Sequence, residues 1–116
     1  MTQRKPNQVP TATDLTASRA LNTTYTNTNQ YSVLVLITLR CAITVAAGSA
    51  YAQAKSDSAS PPTTLASGVV GIESGLLNED NTFQLSFLAE AGKNYRVDST
   101  VANGTVTLGK WMEVAL

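Results

Sequence analysis

Every odd-numbered position from Tyr31 to Val45 is apolar: Tyr31, Val33, Val35, Ile37, Leu39, Cys41, Ile43 and Val45. The even positions start polar at Ser32, turn apolar at Leu34 and Leu36, and return to Thr38, Arg40 and Thr44. A period of two predicts a strand with one face on a core. Leu34 and Leu36 predict that something also covers part of the other face. Fully extended, the run would reach about 50 Å, long for one strand. A bend or bulge near Thr38–Arg40 is therefore expected, or a second strand starting there.

The same run admits two other readings. A membrane span needs about 20 mostly apolar residues and does not tolerate an arginine near its centre cheaply; this run is shorter, contains Arg40, and is dominated by Val, Ile and Thr, which favour strands. A secretory leader would be cleaved after Ala52, where Ala50-Tyr51-Ala52 precedes Gln53. Against it, the segment before the apolar run is long and polar, and Arg40 divides the run.

Elsewhere the pattern is of short strands and turns. Met1–Asp14 is polar, with Pro6 and Pro10, and reads as an extended arm that cannot bury enough surface to fold alone. A strand is expected at Asn22–Thr26, followed by a turn at Asn27–Gln30. Gly48 ends the long run, and Lys55–Ser67, with Pro61-Pro62, reads as an exposed loop. A short bulged strand is expected within Ser67–Leu77, a turn at Asn78–Asn81, and a strand over Phe83–Ala89. A turn at Ala91–Asn94 leads to its partner strand at Tyr95–Val97. Asn103-Gly104, between Val101 and Val106, is the strongest hairpin signal. Lys110–Leu116, with Trp111, forms the last strand. These elements predict an all-β antiparallel sandwich or jelly roll over residues 15–116, preceded by the arm at 1–14.

Composition narrows the function. The 116 residues carry 8 Lys plus Arg and 8 Asp plus Glu, a net charge of zero, and the charged fraction of 14% is low against about 25% for an ordinary domain. That balance offers no basic field for nucleic acid. A surface with so little charge keeps a free monomer in solution poorly, which points to a component of an assembly. The chain has no histidine, which removes the usual general base and the usual zinc ligand. Cys41 lies on the apolar face of the long run and reads as a buried hydrophobe, with no disulfide partner.

The remaining chemistry is sparse. Glu79-Asp80 lacks the other ligands of a calcium loop. The glycines at 68, 71 and 75 are followed by no Lys-Ser/Thr, so they form no phosphate loop. Asn22-Thr23-Thr24 and Asn103-Gly104-Thr105 fit the glycosylation sequon but read as structural. No catalytic, metal or cofactor residues emerge, and the expectation is a non-enzyme without cofactor. Tyr95 and Trp111 lie in alternating strands and are expected in the core. Tyr51 is the aromatic expected to be exposed, and the one candidate for glycan contact.

The segment Thr16-Ala17-Ser18-Arg19-Ala20-Leu21-Asn22-Thr23-Thr24-Tyr25-Thr26-Asn27-Thr28 leads into the apolar strand, Ala89-Glu90-Ala91-Gly92-Lys93-Asn94-Tyr95-Arg96-Val97 follows, and Trp111-Met112-Glu113-Val114 closes the chain. In this order the pieces resemble small β-sandwich structural proteins and terminal domains of tailed bacteriophage virions. The resemblance covers about residues 14–116, judged by motif spacing. This chain departs from it after Asn29, where the usual Gly and Pro are missing, and at Glu90, where Pro is common. The resemblance implies a virion structural protein, a homotrimer, bound to the major capsid protein or another virion protein as a decoration (cement) protein on the capsid exterior. Arg4, Lys5, Pro6 and Pro10 of the arm, with Leu34 and Leu36, are the expected partner interface; no nucleic acid and no membrane are expected. The alternatives are a receptor-binding tip or baseplate accessory that holds a host glycan at Tyr51, and an exported carbohydrate-binding module cleaved after Ala52.

Overall fold

In the computed structural model, which describes residues 11–74 and 79–116, two four-stranded antiparallel sheets pack face to face. Sheet A has the order β1-β8-β3-β6 and sheet B the order β2-β7-β4-β5. The strands are β1 (Ala12–Asp14), β2 (Tyr25–Thr26), β3 (Val33–Ile43), β4 (Gly48–Asp57), β5 (Val70–Ser74), β6 (Glu79–Ala89), β7 (Asn94–Ala102) and β8 (Gly104–Ala115). The all-β sandwich expected from the alternation is the fold.

The long apolar run is the central strand β3. Its odd residues from Val33 to Ile43 are all buried, and β6 and β8 bond it on either side. The expected irregularity is present: the β3–β8 register shifts between Thr38 and Leu39, leaving Gly109 as the extra residue, a bulge that bends the longest pair of strands. The core unites Val33, Val35, Ile37 and Leu39 with Leu85, Phe87, Tyr95, Val97 and Trp111. A second cluster at the far end holds Cys41, Ile43, Ala50 and Ile72. Tyr95, Trp111 and Cys41 are thus core residues, and burial pushes the Cys41 thiol pKa up.

Several local expectations need correction. Asn22–Thr26 is strand only at Tyr25–Thr26, because Asn22 takes a left-handed φ of 59°. The loop expected from Lys55 starts later, since β4 runs to Asp57. Glu79–Asn81 are strand rather than turn, held by pairing with Ile43–Cys41, while Asn78 lies outside the described residues. Asn103-Gly104 is not a hairpin. With Asn103 at φ 55° it turns the chain from sheet B to sheet A. For the same reason β6 and β7 are not partners: β6 pairs with β3, and β7 with β4 and β2. Ala12–Asp14, read as part of the arm, add strand β1 to the edge of β8.

Candidate functional site

The two outer faces of the sandwich differ in character. On sheet A the even residues of β3 and β6 point away from the core, as do those of β8 after its bulge at Gly109, whereas Val106 and Leu108 before the bulge pack inward. Leu34 stands opposite Leu88 on one side and Val114 on the other, and Leu36 opposite Ser86 and Met112. Leu36 (38%), Leu88 (44%) and Leu116 (43%) are substantially exposed. Leu34, Leu36, Leu88, Met112 and Val114 thereby form one apolar patch over half of this face. Beyond Leu36 the face turns polar through Thr38, Gln84, Lys110 and Arg40, and a shallow groove of about 430 Å³ runs from Leu36 and Met112 to Gln84 and Lys110. Arg40, exposed, clamps Asp80 across the β3–β6 pair with its Nε 2.9 Å from both carboxylate oxygens. Leu34 and Leu36 are therefore where the sequence pattern placed them, on a face that no other part of the described chain covers.

The outer face of sheet B is polar. Tyr51 stands on it half-buried, its ring laid against Gly71. A Cβ at Gly71, whose φ is +154°, would lie 2.6 Å from Tyr51 Cδ1. The Tyr51 hydroxyl donates to Glu73 Oε2 at 2.5 Å, and this bond is the main reason its pKa rises. Beside the ring a cleft of about 260 Å³ is lined by Gln53, Val69, Asp98 and Thr100. Asp98 is engaged by Lys55 at 3.1 Å and Arg96 at 2.6 Å.

A buried polar hub lies at one end of the sandwich. Asn27, 3% exposed, donates from Nδ2 to Tyr31 O at 3.0 Å and Ala89 O at 2.9 Å. Its Oδ1 accepts from the Asn29 backbone N–H and side-chain amide, each at 3.0 Å. At the same end, Glu113 Oε2 accepts from the Tyr95 hydroxyl at 2.8 Å and Trp111 Nε1 at 3.0 Å, with Arg19 Nε 3.5 Å away. Arg19 also lies 4.4 Å from the centre of the Tyr25 ring. Burial first, and then Glu113, push the Tyr95 phenol up to about 12. Both clusters belong to the packing of the fold; in the second, the buried Arg19 Nε has no hydrogen-bond partner and is held by its ion pair with Glu113.

The arm residues Arg4, Lys5, Pro6 and Pro10 lie outside the described residues. Ala52 is 1% exposed in mid-β4, paired with Val70 and Ser99. A cut after it would remove β3, the centre of sheet A. Among the described residues no group of three His, Cys, Asp or Glu side chains is placed to hold a metal, and no helix is long and apolar enough to cross a membrane. Comparison of the chain with protein-family models, curated proteins and solved structures finds no match.

Proposed function

We propose that the protein is a structural subunit of an assembly, attached to its partner through the outer face of sheet A. In the form the sequence resemblance suggests, it is a decoration protein of a tailed bacteriophage head, bound on the exterior of the major capsid protein lattice. The observation that carries this reading is the patch of Leu34, Leu36, Leu88, Met112 and Val114. Contiguous apolar area on the outside of a small domain marks a surface that is covered in use. The low charge of the chain supports the same conclusion. The test is attachment to capsids with and without Leu36→Asp, which puts a charge in the middle of the patch without touching the core. The arm belongs to the same proposal: deleting Met1–Pro10 leaves the sandwich folded and abolishes attachment.

A second reading, a receptor-binding tip, is favoured by the Tyr51 cleft. An aromatic ring beside the Gln53 amide, the Asp98 carboxylate and the Thr100 hydroxyl combines an apolar platform with polar groups, the combination a sugar ring requires. Glycan binding lost in Tyr51→Ala, with capsid attachment absent, would move the protein to that role.

A further inference from the structure

Among the described residues, the outer edge of β6 is an unoccupied strand-pairing template. Leu116 N–H donates to Ser32 O at 3.1 Å, continuing the register that sets Val33 opposite Ala115. In an antiparallel ladder, residues that bond one neighbour alternate with residues that bond the other. Even residues of β3 therefore bond β8, and odd ones bond β6. The β3–β6 register is unbroken from Val33–Ala89 to Ile43–Glu79. The odd residues of β6 are thus used by β3, and the N–H and C=O groups of Asp80, Thr82, Gln84, Ser86 and Leu88 point outward. Among the described residues no backbone hydrogen bond outside the ladder reaches them.

Natural edges of this length are guarded by proline, lysine, a bulge or an inward charge. From Asn81 to Ala89 this edge has no proline, no glycine and no charge, and its register has no bulge. At its C-terminal end two exposed leucines, Leu88 and Leu65 (57%), flank a cleft of about 410 Å³.

We infer that this edge pairs with the same edge of a second copy, antiparallel, about a two-fold axis through Gln84. The five outward residues are symmetric about Gln84. Turning the strand end over end sets Asp80 opposite Leu88, Thr82 opposite Ser86 and Gln84 opposite itself, so every free donor meets a free acceptor. Each such pair exchanges two hydrogen bonds. Charge selects this orientation. The two Asp80 carboxylates end up roughly 27 Å apart, at about 3.4 Å per residue, beyond the screening length of about 8 Å. Parallel pairing would hold them about 5 Å apart. The axis is normal to the sheet, so the joined sheet runs β1-β8-β3-β6-β6-β3-β8-β1 and both apolar patches face the same way. A dimer would therefore meet a partner surface with two docking patches side by side. The symmetry is two-fold, where the sequence resemblance implies three copies.

Sedimentation equilibrium tests this on the full chain. Wild type is expected at twice the 12.2 kDa chain mass. Ser86→Pro removes an outward N–H and no β3 bond, and is expected to weaken the dimer at least tenfold with the near-UV signal of Trp111 retained. If Ser86→Pro does not fold, the Gln84 pair decides. Gln84→Lys and Gln84→Glu each place like charges on the axis and weaken the dimer, while their mixture restores a one-to-one dimer. A wild-type monomer, a trimer, or a dimer indifferent to these changes overturns the inference. The outcome is separable from capsid attachment: a dimer that ignores capsids refutes the docking reading and leaves the β6 pairing standing.

Discussion

Asn27 is the polar side chain on which the sandwich most depends, and its replacement separates two kinds of loss. Asn27→Ala removes both amide donors and the acceptor. The Asn29 groups lie on an exposed residue and recover water. Ala89 O keeps the ladder bond expected from Val33, but Tyr31 O loses its amide partner. That part-buried acceptor, left unpaired, costs about 1 kcal/mol, the low end for an unsatisfied group, and the vacated volume adds to it, so a loss of about 1–2 kcal/mol is expected. For a domain near 100 residues, each kcal/mol lowers Tm by roughly 4–8 °C. Asn27→Asp is nearly the same size and keeps the acceptor for Asn29, yet at neutral pH it turns a carboxylate towards two carbonyl oxygens that now sit about 3 Å from Nδ2. An uncompensated buried charge costs about 3–5 kcal/mol, so the conservative change is the worse one. The carboxyl's folded pKa is raised above its unfolded value of about 3.9. Its penalty is full above the folded pKa and shrinks as pH falls through it, because the protonated acid regains one donor. Urea unfolding followed by Trp111 fluorescence between pH 4 and 8 measures both variants. Asn27→Asp no less stable than Asn27→Ala at pH 7, or equally penalised at pH 4, would refute the role of the amide as donor.

Two further predictions follow from the titrating groups. Asp57 accepts from the backbone N–H groups of Ala59, Thr63 and Thr64 and from the Thr63 hydroxyl, and these bonds, Thr63 foremost, hold its pKa well below the usual carboxylate range. A depressed folded pKa gives stability that is present above the unfolded value near 4 and lost as pH falls towards the folded one. Asp57→Asn should therefore flatten the loss of stability between pH 4 and pH 2 in acid titrations, and an unchanged acid limb would contradict it. In Glu113→Gln the Tyr95 phenol loses a charged acceptor, so its pKa should fall from about 12 but stay above the ordinary value near 10, because burial is the larger cause. Absorbance titration of the tyrosines checks this, and a Tyr95 value that does not move would sever the link to Glu113.

Alternation made β3, β6 and β7 legible, because their inward residues are large and apolar. It failed at β4, whose inward residues are Gly48, Ala50, Ala52 and Ala54, all buried. Small side chains face the bulky residues of sheet A across the core, and a strand built on alanine carries little hydrophobic contrast; the same alanines imitate a cleavage site. Asn103-Gly104 supplied a tight turn as expected, but local turn chemistry does not say whether the strands it joins share a sheet. Leu34 and Leu36 were legible as apolar residues on the outer face because the break in alternation is itself the signal. Their neighbours Leu88, Met112 and Val114 were not, since only the register brings them beside β3. Asn27 and Glu113 were hidden among turn and strand residues. Their roles depend on contacts with Ala89 and Tyr95, far away in the chain.

The proposed attachment through the outer face of sheet A is tested most directly by co-sedimentation with tailed-bacteriophage capsids, intact and emptied, comparing wild type with Leu36→Asp at equal thermal stability. Wild type should pellet with both forms of capsid while Leu36→Asp stays in the supernatant. Equal pelleting of the two proteins, or none of either, would contradict the assignment of this face.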